Sequence, residues 1–180
     1  MMRGVALSAA FRVASESLNL GEWAVSDDLE GVLICRGLGS CVALCLHDPV
    51  ARIGAMAHMV LPDSSATRAS TAGAKFVDLA VPLLLEEMTQ RGVVLRRLYC
   101  YLAGGAQLIS QSTTPLGRIG ERNAEAARVE LRSRSVRVHA EDIGGQHGRT
   151  VEMRIGTGEV IVTQVGSPPR TLSGRAPSFE

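Results

Sequence analysis

Cys41 and His58 are the residues of this chain whose types and spacing point to covalent chemistry. Cys41 lies in Cys35-Arg36-Gly37-Leu38-Gly39-Ser40-Cys41-Val42, and His58 follows seventeen residues later in Gly54-Ala55-Met56-Ala57-His58. A cysteine attacks as its thiolate, and a neighbouring imidazole is a common base for its proton. Gly37 and Gly39 allow backbone dihedrals that other residues resist, so the cysteine follows a tight bend. The backbone N–H groups around Gly39, Ser40 and Cys41 are then candidates for an oxyanion site. The same residue types also describe a buried, inert thiol and a satisfied core histidine. Local sequence alone leaves both readings open.

The elements around the pair must bring it together. Val42 to His47 and Ile53 to Leu61 are apolar strand candidates, and Asp48-Pro49-Val50-Ala51-Arg52 between them reads as a turn. A hairpin centred between Pro49 and Val50 sets position 41 opposite position 58. Directly opposed residues of an antiparallel pair share a face with Cβ atoms about 5 Å apart. A slip of one residue would separate them, because it moves every side chain to the other face.

Elsewhere, Leu20 to Val25 and Gly31 to Cys35 read as short strands, as does Leu95 to Leu102. Helices are expected from about Ala72 to Arg91, with Pro82 as a kink, and from Ile119 to Arg134. Val136 to Ala140 is a further strand. Arg149 to Ile155 and Glu159 to Val165 form a hairpin about Thr157-Gly158. Residues 1–17 read as a loose lead-in, 18–165 as the folded domain and 166–180 as a disordered tail. Strands dominate and several are joined by short turns, which argues for an α+β layered fold rather than a doubly wound parallel sheet. The polar stretch from Asp63 to Thr71 is a candidate substrate-contact loop or a plain solvated linker.

Composition excludes several classes. With 180 residues the chain is long enough for one domain with its own core. A net charge of +1 gives no nucleic-acid footprint. No apolar run approaches the length of a membrane span, and Met1 to Val13 lacks the apolar stretch of a signal peptide. A cytoplasmic location with reduced thiols is therefore expected, without membrane insertion. The cysteines, at 35, 41, 45 and 100, form no short ligand pair, so no metal is expected. No phosphate-binding glycine fingerprint occurs, and no organic cofactor is expected. Cys45 and Cys100 read as core, His47 as surface, and His139 as core or edge. His147 lies in a flexible loop with no assigned part. Cys35 precedes the glycine bend and is close enough in sequence to join the same site.

At these residues the sequence resembles the CheD family of chemotaxis proteins, the chemoreceptor glutamine deamidases. Gly37-Leu38-Gly39-Ser40-Cys41-Val42-Ala43, Asp48-Pro49, Met56-Ala57-His58 and Leu61-Pro62 fit its central signature. Leu20-Gly21-Glu22, Lys75-Phe76-Val77-Asp78, Gly104-Gly105-Ala106, Ile119-Gly120-Glu121-Arg122-Asn123, Glu141-Asp142-Ile143-Gly144-Gly145 and Gly148-Arg149 follow the family in order. The resemblance implies Cys41 as nucleophile and His58 as its base. It also implies a histidine-orienting role at position 35, where the family's threonine is replaced by Cys35. It implies an α/β/β/α-type sandwich like the catalytic domain of cytotoxic necrotizing factor toxins. The substrate it implies is a glutamine on the cytoplasmic helical bundle of a chemoreceptor, with a CheC-type phosphatase as a further partner. The competing expectation is a non-catalytic chemotaxis adaptor that binds a receptor or such a phosphatase.

Overall fold

The computed structural model describes residues 15–65, 73–107 and 118–173. Residues 1–14, most of the polar loop after Asp63 and the last seven residues of the expected tail lie outside them. Ten strands and two α-helices follow in order: β1 (Ser15–Leu18), β2 (Trp23–Ser26), β3 (Val32–Leu38), β4 (Val42–Asp48), β5 (Ile53–Met59), α1 (Val77–Gln90), β6 (Tyr99–Gly104), α2 (Ile119–Ser133), β7 (Val138–Ile143), β8 (Arg149–Arg154), β9 (Val160–Gln164) and β10 (Arg170–Thr171).

Two five-stranded sheets result, ordered β1-β3-β8-β9-β10 and β2-β5-β4-β6-β7. Each is mixed, since β1 runs parallel to β3 and β7 runs parallel to β6, while the other neighbours are antiparallel. The central strands β4 and β5 are buried along their whole length, because both of their faces are covered. Val42, Leu44, Leu46, Ala55, Ala57 and Met59 pack with Val77, Leu84, Met88, Ala127 and Leu131 of the helices. Cys41, Ala43, Cys45 and Met56 point the other way and pack with Leu33, Cys35, Val151, Met153 and Val162 of the first sheet.

The layers are thus sheet, sheet, helices. Both helices cover the outer face of the second sheet, so among the described residues no helix covers the first sheet. The expected α/β/β/α order is corrected to β/β/α on this point. Pro82 does not break α1, which runs unbroken from Val77 to Gln90. β1 lies at the end of the stretch read as lead-in, and its Ser-Glu-Ser start gives no apolar signal. Beyond Gly166 the chain pairs again as β10, and the Leu172 N–H donates to the Val160 carbonyl at 2.8 Å.

The β4–β5 hairpin differs from expectation by a register shift of two. Ala43, not Cys41, stands opposite His58, and Asp48 stands opposite Ile53. The turn is therefore centred one residue later than expected. Asp48 sets it: its Oδ1 accepts from the N–H groups of Val50 at 2.9 Å and Ala51 at 3.2 Å. Its Oδ2 accepts from Arg97 Nη2 at 2.7 Å and from the Val94 N–H at 3.2 Å. Side chains alternate with period two, so an even shift preserves the face. Cys41 and His58 still both face the interior between the sheets, now as diagonal neighbours.

Candidate active site

Cys41 stands where β3 hands over to β4. β3 ends irregularly, with its pairing to β8 shifting between Cys35 and Leu38. Gly37 takes φ +64 inside this bulge, where a glycine is at ease and other residues are strained. The carbonyls of Gly39, Ser40 and Cys41 are all taken. The Gly39 carbonyl accepts from the Ala106 N–H at 2.7 Å, and the Cys41 carbonyl accepts from the Gly105 N–H at 2.7 Å. The Ser40 carbonyl accepts from Asn123 Nδ2 at 2.9 Å. The N–H groups of Ser40 and Cys41, by contrast, donate to no backbone carbonyl among the described residues. Burial raises the Cys41 thiol above its ordinary pKa, opposed by its own N–H, which favours the thiolate.

His58 is held on three atoms by the end of β1 and the turn that follows it. Its N–H donates to the Glu22 carbonyl at 2.9 Å, and its carbonyl accepts from the Gly21 N–H at 2.9 Å. Its ring Nδ1 lies 3.1 Å from the Leu18 carbonyl. A carbonyl only accepts, so Nδ1 carries the proton and Nε2 presents its lone pair. Nε2 is buried and has no hydrogen-bond partner among the described residues. Burial lowers the His58 pKa, with the Leu18 carbonyl and the Glu22 charge opposing. The resting imidazole is therefore neutral and has a free basic nitrogen. Diagonal neighbours on one face are about 7–8 Å apart between backbones, and no hydrogen bond joins Cys41 Sγ to His58 Nε2.

Cys35 is fully buried on the same inter-sheet face. Its thiol donates to Met56 Sδ at 3.4 Å. Burial, then the neighbouring Cys41, push its pKa up to about 12, so it stays a thiol. Leu18 is its register partner on β1. The histidine-orienting acceptor is thus on the strand beside Cys35, and it is a main-chain oxygen. No side-chain pattern in the sequence marks it.

The remaining cysteines and histidines lie elsewhere. Cys45 and Cys100 are buried in the core. His47, expected at the surface, is buried instead: its Nε2 lies 3.0 Å from the Ile155 carbonyl of the facing sheet. His139 sits exposed on the edge strand β7, where its Nδ1 accepts from the Cys100 N–H at 3.2 Å. His147 is exposed in the loop before β8. Among the described residues no three His, Cys, Asp or Glu side chains gather as a metal site.

Asn123 ends the Ile119-Gly120-Glu121-Arg122-Asn123 motif, and nothing in the sequence alone marks what it binds. It is fully buried, and its Nδ2 reaches both the Ser40 carbonyl and, at 2.8 Å, the Val60 carbonyl. Arg149 is a second buried anchor nearby. It donates to the Gly104 carbonyl at 2.7 Å and the Gly144 carbonyl at 2.6 Å, and its Nε pairs with Asp142 at 3.1 Å.

Fold and site together give a two-sheet sandwich with Cys41 and His58 both buried on the face between the sheets. The family model described as CheD chemotactic sensory transduction matches residues 60–164. A relative from Symbiobacterium thermophilum named probable chemoreceptor glutamine deamidase CheD is 45% identical over 84% of this chain and 93% of its own length. One from Thermotoga maritima named chemoreceptor glutamine deamidase CheD is 42% identical over 83% of this chain and 91% of its own. The chain belongs to the CheD family. A crystal structure of the Bacillus licheniformis hypothetical protein YfiH is a weaker likeness, with a TM-score of 0.44 and 14% identity over 68% of this chain and 49% of that one.

Proposed function

We propose that this chain is a chemoreceptor glutamine deamidase that works through Cys41. The relatives' names supply the reaction and substrate class. The observation that carries the mechanism is the unpartnered Nε2 of His58, fixed by the Leu18 carbonyl, on the face it shares with Cys41.

His58 Nε2 takes the Cys41 thiol proton, and the sulfur attacks the carboxamide carbon of a receptor glutamine. The N–H groups of Ser40 and Cys41 receive the oxyanion. The C–N bond breaks and ammonia leaves with the proton held on Nε2. Water then attacks the thioester, giving up a proton to the same nitrogen. The C–S bond breaks, the product is a glutamate, and the proton returns to Cys41. A positioned base of this kind supplies about 10²–10⁴-fold in rate. The Leu18 carbonyl serves as the orienting acceptor, and Cys35 acts as packing beneath it. The departure from threonine at position 35 therefore leaves the dyad intact. Action in the cytoplasm, a CheC-type partner and a likeness to the necrotizing factor catalytic domain belong to the same reading.

The test is ammonia release from a purified receptor cytoplasmic fragment. Wild type releases ammonia, while Cys41→Ala and His58→Ala, matched for folded fraction, do not. Release by Cys41→Ala at the wild-type rate overturns the reading.

A further inference from the structure

We infer that Asn123 is a positioning residue that holds the two halves of the dyad in register. The inference rests on the reading of Cys41 as nucleophile and His58 as base. β4 and β5 stop pairing at Val42 and Met59, just where the reacting side chains stand. Beyond that last rung, among the described residues, no ladder hydrogen bond ties the Cys41 side to the His58 side. Asn123 closes this open end from helix α2. One Nδ2 hydrogen goes to the carbonyl of Ser40, the residue before Cys41, at 2.9 Å. The other goes to the carbonyl of Val60, two residues after His58, at 2.8 Å.

The orientation of this amide is fixed by chemistry. Both neighbours are carbonyl oxygens, so only the NH₂ end can face them. The consequence is visible at the other end, where Oδ1 is buried with no partner. A buried unsatisfied acceptor is a standing cost that evolution rarely tolerates without return. Here the return is the double donation across the mouth of the hairpin. The Ser40 carbonyl belongs to the same peptide unit as the Cys41 N–H. Fixing that carbonyl from the helix side therefore aims the N–H at the opposite side, where the oxyanion forms. The neighbouring carbonyls of Gly39 and Cys41 are held by main-chain donors at 2.7 Å, but only the central one depends on a side chain.

The experiment compares wild type, Asn123→Asp, Asn123→Ala and Cys41→Ala on a receptor cytoplasmic fragment. Asn123→Asp is nearly isosteric, so it keeps the packing, but it offers at most one hydrogen, and none when ionised. Misplacing reacting groups by about 1 Å costs about 10²-fold in rate. The expected result is a fall in kcat of about that size in both Asn123 variants, with KM close to wild type. The pH profile of Cys41 alkylation is expected to move in both variants as well. A kcat near wild type in folded Asn123→Asp, or a loss that only tracks the folded fraction, overturns the inference. So does failure of both variants to fold, which would make Asn123 a residue of stability alone. Activity in Cys41→Ala would instead mark failure of the underlying mechanism, so the two are distinguishable.

Discussion

Replacing Gly104 by alanine should damage the site more than a methyl group added at any other described glycine. Gly104 is the last residue of β6 and pairs with Val42. Its φ is +118, a region that an L side chain enters only under strain of about 1–3 kcal/mol. A Cβ at this position would stand 2.2 Å from the Cys41 carbonyl oxygen. Real Cβ contacts essentially never fall below 3.0 Å, so the carbonyl must retreat by at least 0.8 Å. That oxygen also accepts from the Gly105 N–H at 2.7 Å, a bond worth about 1 kcal/mol. Strain and the lost bond together predict destabilisation of about 3 kcal/mol. With Cys41 as the proposed nucleophile, a displacement of this size predicts a loss of about 10²-fold in kcat. Gly37→Ala is the control. Gly37 is also left-handed, but an added Cβ meets nothing within 4 Å. It should cost only the conformational term, about 1–2 kcal/mol, and leave kcat per folded molecule intact. Urea unfolding and ammonia release measure the two effects. Equal stability and activity for Gly104→Ala and Gly37→Ala would refute the reasoning.

Other outcomes follow from the same geometry. Cys35→Ala should lose about 1 kcal/mol of stability in urea unfolding and keep kcat near wild type; a collapse of kcat in the folded variant would give position 35 a direct part in the chemistry. The acid limb of kcat/KM should lie below the ordinary histidine value of about 6.5, because burial holds His58 neutral. A limb above that value contradicts the assignment. Burial likewise lowers His47, so the unfolded chain binds protons that the folded chain refuses. Stability should then be flat above the ordinary histidine range and decline as pH falls through it, read as a lower urea midpoint at pH ~5 than at pH ~7. Asp48→Ala should cost about 2–3 kcal/mol, since it orphans Arg97 and the turn donors. Its kcat per folded molecule should be unchanged, because Asp48 lies at the far end of the hairpin from Cys41.

The shared face of Cys41 and His58 was legible because side-chain alternation is robust to even shifts. Spacing set Cys41 and His58 on one face of a hairpin, and the observed slip of two residues left that intact. The turn centre was not legible, because it depends on Asp48 meeting Arg97 and Val94, groups distant in sequence. The orienting acceptor of His58 was hidden for a different reason. Leu18 acts through its carbonyl, which every residue has, and it sits on a strand whose Ser-Glu-Ser start carries no apolar signal. The side on which the helices pack was also beyond local reading. Both faces of β4 and β5 are apolar, so the sequence alone could not say which face takes helices and which takes the other sheet. Asn123 was visible in the sequence only as the end of a motif on a helix, with no partner in view. Its task appears once Ser40 and Val60, far apart in the chain, are brought to either side of its amide.

The central claim is that Cys41 converts receptor glutamine to glutamate with His58 as its base. Peptide mapping by mass spectrometry tests it most directly, on a receptor cytoplasmic fragment incubated with wild type, with Cys41→Ala and with no protein. The account predicts amide-to-acid conversion at discrete glutamines with wild type, and none above the protein-free control with folded Cys41→Ala. Conversion of the same glutamines by Cys41→Ala would contradict it.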